Sequence, residues 1–115
     1  MRRGDLYWVN FEPTQGSEAN MRRPAAIVSR NDANFVAQET GRGTVTVVPL
    51  TINTKHVAAF QVLVSADESG LRQESKLQAE QVRTVSVSRI GDYIGTLSFQ
   101  TVLKLNDALR LHLDL

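Results

Sequence analysis

Apolar positions along this chain fall into short clusters separated by polar, turn-rich stretches, which is the layout of a mainly β protein. Leu6 to Phe11 (LYWVNF) is rich in aromatic and β-favouring residues and predicts a first strand. The stretch that follows, EPTQGSEANMR, gathers Pro, Gly, Ser and Asn into a loop of about ten residues, longer than an ordinary hairpin connection. Pro24 to Ser29 reads as a second strand, with the proline tolerated at its first position. NDANFVAQETGRG is polar and turn-rich, with room for one short helical turn. Thr44 to Thr51 (TVTVVPLT) predicts a third, largely buried strand, Phe60 to Ser65 (FQVLVS) a fourth, and ADESGL turns the chain.

The segment SKLQAEQVRTVSV is less regular. Leu77, Ala79 and Gln81 alternate as a strand would, and Val82 then breaks phase before Val85 and Val87, the trace a β-bulge leaves in a sequence. SRIGDYIGTLS predicts a turn and a short strand. From Phe99 the period changes: Phe99, Val102, Leu105 and Leu109 fall on one helical face, with Ser98 as N-cap. The pattern as a whole predicts an α+β, mainly β architecture. Five to seven short antiparallel strands close into a small, partly closed SH3-like barrel with a C-terminal helix.

Composition narrows the function. At 115 residues the chain has room for one domain with one real core, and residues 1–115 are expected to form it. The absence of cysteine excludes disulfides and thiolate metal sites and suits a cytoplasmic protein. The amino-terminal stretch meets Asp5, Asn10 and Glu12 before any long apolar run, so neither a signal peptide nor a membrane span is expected. A formal net charge of +1 rules out gripping nucleic acid by bulk charge; basic groups serving that purpose must be concentrated locally. His56 and His112 lie far apart in sequence without ligand-spaced partners, so no metal or other cofactor is expected.

One spelling stands out. In NMRRPAAIVSR, Arg22 and Arg23 stand directly before Pro24 at the mouth of an apolar strand. Taken singly, the arginines read as solvated loop-end residues, Thr51 as a strand-end threonine and Glu18 as a loop carboxylate. Taken in series, RGDLYWVNFEPTQGSE, RRPAAIVS, VVPLT and AEQVRT resemble the MazF/PemK family of bacterial toxin ribonucleases, from Arg3 through the C-terminal helix.

The resemblance implies the small CcdB/PemK barrel and the toxin component of a type II toxin–antitoxin system. Such a protein is a homodimer that cuts single-stranded RNA at short motifs without a metal, leaving a 2′,3′-cyclic phosphate and a 5′-hydroxyl. It is held in check by a MazE-like antitoxin. Attack by the RNA's own 2′-hydroxyl needs a base, an acid for the departing 5′-oxygen, and fixed cations or donors for the crowded phosphate. Arg23 matches the family's catalytic arginine, and arginine offers phosphate a planar, permanently charged fork. Thr51 matches a threonine whose hydroxyl donates to the phosphate. Glu18 matches a loop glutamate of the MazF branch and Glu80 an acidic position of the Kid/PemK branch; either is a candidate base. Two departures prevent carrying the Kid assignment over whole: Ser17 stands for a histidine and Gln78 for an arginine. Gln15, Gly16, Ser17, Arg22, Gln78, Gln81 and Arg83 are candidate RNA contacts. Trp8 and Tyr7 either stack on bases or fill the core, and His56 reads as an exposed bystander. Two other readings stay open on this fold: a non-catalytic CcdB-like toxin that grips DNA gyrase, and a degenerate homologue that acts with an antitoxin as a transcriptional corepressor.

Overall fold

The computed structural model describes residues 1–12 and 21–115; the expectations placed on Gln15, Gly16, Ser17 and Glu18 lie outside the described residues. The described residues form seven strands and three α-helices. In chain order these are β1 (Asp5–Asn10), β2 (Arg22–Ile27), α1 (Asn31–Thr40), β3 (Thr44–Thr51), β4 (Gln61–Val64), α2 (Ala66–Ser69), β5 (Ser75–Gln78), β6 (Arg83–Ser86), β7 (Ile90–Thr96) and α3 (Phe99–Leu113). The sheet order is β4-β5-β3-β2-β1-β7, with β6 also on β3, and every pairing is antiparallel. The sheet does not close on itself, which matches the partly closed barrel expected from the sequence.

The alternation of strand side chains divides the core in two. On one face Leu6, Ala26, Val48, Leu50 and Leu77 pack with Leu105 and Ala108 of α3. On the other, Val9, Phe11, Ala25, Ile27, Val47 and Val85 pack with Ala37 of α1. Each fully buried aliphatic side chain of this size contributes about 1.5–3 kcal/mol relative to exposure.

Four expectations are corrected. The second strand begins at Arg22, ahead of Pro24, because β1 pairs with it back to Asn10↔Arg22. The polar NDANFVAQET forms a ten-residue helix where one turn was expected. It buries only Asn34 and Ala37, so it lacks the apolar stripe that announces a helix; it is held by Asn34 Nδ2 donating to the Ser29 carbonyl at 2.8 Å and by a left-handed C-cap at Gly41. The phase break near Val82 is a 3₁₀ turn, Ala79–Gln81, and not a bulge. It hands the chain from β5, paired with Leu50 and Thr51, to β6, paired with Thr44 to Val47. Phe99, assigned to the inner face of the last helix, is 72% exposed; Thr101, Leu105 and Ala108 are the buried positions. The predicted N-cap stands: Ser98 Oγ accepts from the Thr101 N–H at 3.2 Å, a bond of the kind that contributes about 1 kcal/mol.

The helix α2 is pressed against β7. A Cβ built on Gly95 would lie 2.1 Å from the Ser69 carbonyl oxygen, closer than atoms can approach. Gly95→Ala is therefore expected to destabilise the fold by about 1–3 kcal/mol or more, read as a lowered urea midpoint. An unchanged midpoint would show that α2 moves aside freely.

Glu68 of α2 accepts from the Thr101 hydroxyl at 2.8 and 3.0 Å. Burial pushes its carboxyl up. The hydroxyls of Ser98 and Thr101, the Ser98 N–H and the nearby Lys104 charge outweigh burial and hold it below the ordinary 4.5. The folded value is the depressed one, so the stabilisation is present above the unfolded pKa and is lost as pH falls through the folded value. The difference in melting midpoint between the native protein and Glu68→Gln should shrink from about pH 6 to about pH 3. A constant gap would mean that the charge is not involved.

Candidate functional site

Consecutive strand residues project to opposite faces, and this separates the two arginines. Arg23 pairs with Val9 and shares the face of Val9, Ala25 and Val47. Arg22 goes to the other side, where its guanidinium stacks 5.6 Å above the Trp8 ring. Such an exposed cation–π contact contributes about 0.5–1 kcal/mol. Trp8, 38% exposed, and Pro24 line a groove of about 510 Å³ on that side, together with Ile52, Leu71, Arg72 and Ile94. Trp8 is thus neither core nor a free platform in this chain; Arg22 covers it. Tyr7 lies half-buried on the opposite side, edge-on to Tyr93 with ring centroids 5.5 Å apart. Its phenol is pushed above the ordinary 10.0 by burial, then by the Asp5 and Tyr93 charges.

The ladder between β2 and β3 runs Ile27↔Val47, Ala26↔Val48, Ala25↔Pro49. Arg23 and Thr51, each two residues beyond the last pair, lie on the same face as Ala25 and Pro49. Arg23 Nη1 donates to Gln78 Oε1 at 3.4 Å, a long bond that spans β3 to reach the end of β5. Pro24 restricts Arg23 to extended backbone, which narrows where its half-buried side chain can project. The Thr51 hydroxyl oxygen accepts from the Asn53 N–H at 3.3 Å. Accepting there leaves its O–H able to donate.

Arg83 opens β6 opposite Val47, on the same face as Arg23, with its guanidinium 5.4 Å from the Phe11 ring. Gln81 closes the 3₁₀ turn and is half-buried. Arg23, Thr51, Gln78 and Arg83 thus come together on one face although 60 positions separate the outermost pair, Arg23 and Arg83. Arg22 is the predicted contact that the fold sends elsewhere.

Glu80 lies in the 3₁₀ turn and is engaged: its Oε2 accepts from Gln61 Nε2 at 2.7 Å. Its Oε1 is buried without a hydrogen-bond partner among the described residues. Gln61, paired across the sheet with Gln78, accepts the Ala58 N–H at 3.0 Å with its other amide atom. The carboxylate therefore reaches the 52–60 loop through one glutamine. His56 is exposed in that loop and offers its backbone carbonyl to Lys76 Nζ at 2.5 Å.

Gln61 and Lys76 were missed by sequence reasoning. Neither is visible without the pairing of β5 with both β4 and β3, which puts Lys76 opposite Thr51. The described residues hold no cluster of three or more His, Asp or Glu side chains suited to a metal ion. They also contain no helix long and apolar enough to cross a membrane.

Residues 2–113 match the family model described as a PemK-like, MazF-like toxin of type II toxin–antitoxin systems. The chain is 48% identical over 115 residues to endoribonuclease MazF9 of Mycobacterium tuberculosis, covering 100% of this chain and 98% of that protein. Over 89 residues it is 42% identical to a probable endoribonuclease, MazF1, of the same organism, covering 76% and 96% respectively. A solved mycobacterial endoribonuclease in complex with its cognate antitoxin superposes with a TM-score of 0.75 at 25% identity, covering 100% and 96%. The crystal structure of MazF from Deinococcus radiodurans shares the fold with a TM-score of 0.84 at 24% identity, covering 100% and 97%.

Proposed function

Because the chain belongs to the PemK-like, MazF-like toxins of type II toxin–antitoxin systems, we propose that it is an endoribonuclease cutting single-stranded RNA through the RNA's own 2′-hydroxyl. The observation that carries this reading is the sharing of one sheet face by Arg23, Thr51, Gln78 and Arg83, with Arg23 bonded to Gln78. Guanidinium and hydroxyl groups on one face suit a phosphodiester whose charge grows as it becomes five-coordinate. Arg23 holds two of its oxygens by parallel N–H bonds and Thr51 donates a third bond. These groups supply the stabilisation without a metal ion. The 2′-oxygen bonds to phosphorus as it gives up its proton, the bond to the 5′-oxygen breaks as that oxygen takes up a proton, and the products carry a 2′,3′-cyclic phosphate and a 5′-hydroxyl.

The proton leaving the 2′-hydroxyl passes to a carboxylate, for which Glu18 and Glu80 are the candidates. The Gln61 bond and the burial of Oε1 commit Glu80 to the fold in the absence of RNA. Acting as base would require RNA to loosen that bond. Gln78, Gln81 and Arg83 are proposed RNA contacts, with Gln15, Gly16 and Ser17 of the sequence segment that precedes β2. Arg22, stacked on Trp8, contacts RNA only where the strand continues round the end of the sheet.

The active species is a homodimer, and the cytoplasmic partner that silences it is a cognate antitoxin. The antitoxin is supported by the similar mycobacterial endoribonuclease solved in complex with its own. The gyrase-binding and corepressor readings leave the shared face of Arg23 and Thr51 without a purpose.

A long single-stranded RNA digested in EDTA should give discrete cuts with 5′-hydroxyl ends. Arg23→Ala should lower the rate by about 10²–10³-fold, the scale for losing one transition-state donor. Thr51→Val should cost less, because it removes a neutral donor. No cutting by folded native protein on RNA of diverse sequence would overturn the proposal and make gyrase inhibition the next assay.

Glu18→Gln and Glu80→Gln separate the candidate bases. The variant of the true base should lose about 10²–10⁴-fold in rate together with the acidic limb of the pH profile. Undiminished cleavage by both would eliminate a carboxylate base.

A further inference from the structure

Lys76 belongs to none of the motifs that mark the site, yet it occupies a central place in it. It is the cross-strand partner of Thr51 on β5, so both side chains rise from the same face of the sheet. On its other edge β3 pairs with β2, whose Arg23 lies on this same face two residues past the last pair, Ala25↔Pro49. The face that carries Thr51 therefore holds a cation on each neighbouring strand. Two sheet spacings, about 9–10 Å, separate the strands that carry them.

The Lys76 ammonium is held in place but not neutralised. Nζ donates to the His56 carbonyl at 2.5 Å and makes no ion pair among the described residues. An ammonium carries three donors. One bond to a neutral carbonyl leaves two donors and the whole charge for an anion. Anchoring a long, flexible side chain beforehand also removes part of the rotamer entropy that binding would otherwise cost. A lysine serving only to tie down the 52–60 loop would need no such position beside Thr51.

We infer that Lys76 is a substrate-binding residue of this site, taking the phosphodiester next to the one that Arg23 and Thr51 hold. The inference rests on the ribonuclease reading above. It fixes the path of the RNA across the sheet, from β2 over β3 to β5, at right angles to the strands. Two successive phosphates are then gripped by residues of different type, a planar fork at the reacting one and a point charge at its neighbour.

The test uses the native protein, Lys76→Gln and Lys76→Arg. Binding is measured by fluorescence anisotropy over a range of salt concentrations. The probe is a single-stranded RNA spanning a cut mapped with the native protein, with one 2′-deoxynucleotide at the reacting position. Removing one phosphate contact should make the slope of log affinity against log salt shallower by about 0.7 for Lys76→Gln. The slope should stay at the native value for Lys76→Arg. In parallel, KM for cleavable RNA should rise about tenfold in Lys76→Gln, with a smaller change in kcat.

A native slope in Lys76→Gln would overturn the inference. So would weaker binding with an unchanged slope, since that outcome assigns Lys76 to holding the His56 loop. Native protein that neither binds nor cuts RNA would remove the ribonuclease reading itself. Native protein that cuts, alongside a Lys76→Gln variant indistinguishable from it, would remove this inference alone.

Discussion

The register of β3 is the constraint on which the rest of the structure depends. One edge of this strand bonds to β2, and the other bonds to β5 and β6 in succession. The strand period is two, so a slip of one residue would exchange its faces. Val47 would leave the side of Phe11 and Val85, and Val48 and Leu50 would leave the side closed by α3. Thr51 would turn away from Arg23 in the same movement. Packing on two opposed faces thus fixes the placement of one hydroxyl. Only the register that buries both sets of aliphatic side chains also assembles the site.

The 3₁₀ turn Ala79–Gln81 extends this logic to the other edge. It lets one stretch of chain serve both halves of β3, so that Gln78 ends one strand and Arg83 begins the next. The same turn carries Glu80, whose carboxylate ties Gln61 and, through it, the loop that leaves Thr51. Stability and chemistry share residues here. A carboxylate that helps define the loop is not at the same time an idle group waiting for a proton.

Much of the fold was legible because alternation and helical period are local signals. The first, third and fourth strands were read within a residue of their observed limits, and the C-terminal helix at its Ser98-capped start. The misses have a common physical origin. α1 is a helix whose buried side chains are an asparagine and an alanine, so its reason for existing lies in a contact with Ser29 that no periodicity reveals. Phe99 lies about 160° round the helix from Thr101 and about 180° from Ala108, so it projects away from the buried face. At the candidate site, Arg23 and Thr51 were singled out through their motifs. Lys76 and Gln61 were not, since their importance comes from which strand lies beside β3, a fact of long-range pairing.

The parity of the Arg22–Arg23 doublet has a genetic consequence. Loss of either codon yields the same protein, with a single arginine left directly before the proline. Trp8↔Pro24 and Val9↔Arg23 are fixed by the pairing of β1 with β2, so the surviving side chain takes the inner position whichever residue was deleted. The face shared with Val9 and Ala25 would keep its guanidinium, and the uncovered tryptophan on the far face would bear the whole loss. Deletion of either of two adjacent, chemically identical residues therefore has one outcome, the loss of the outer position.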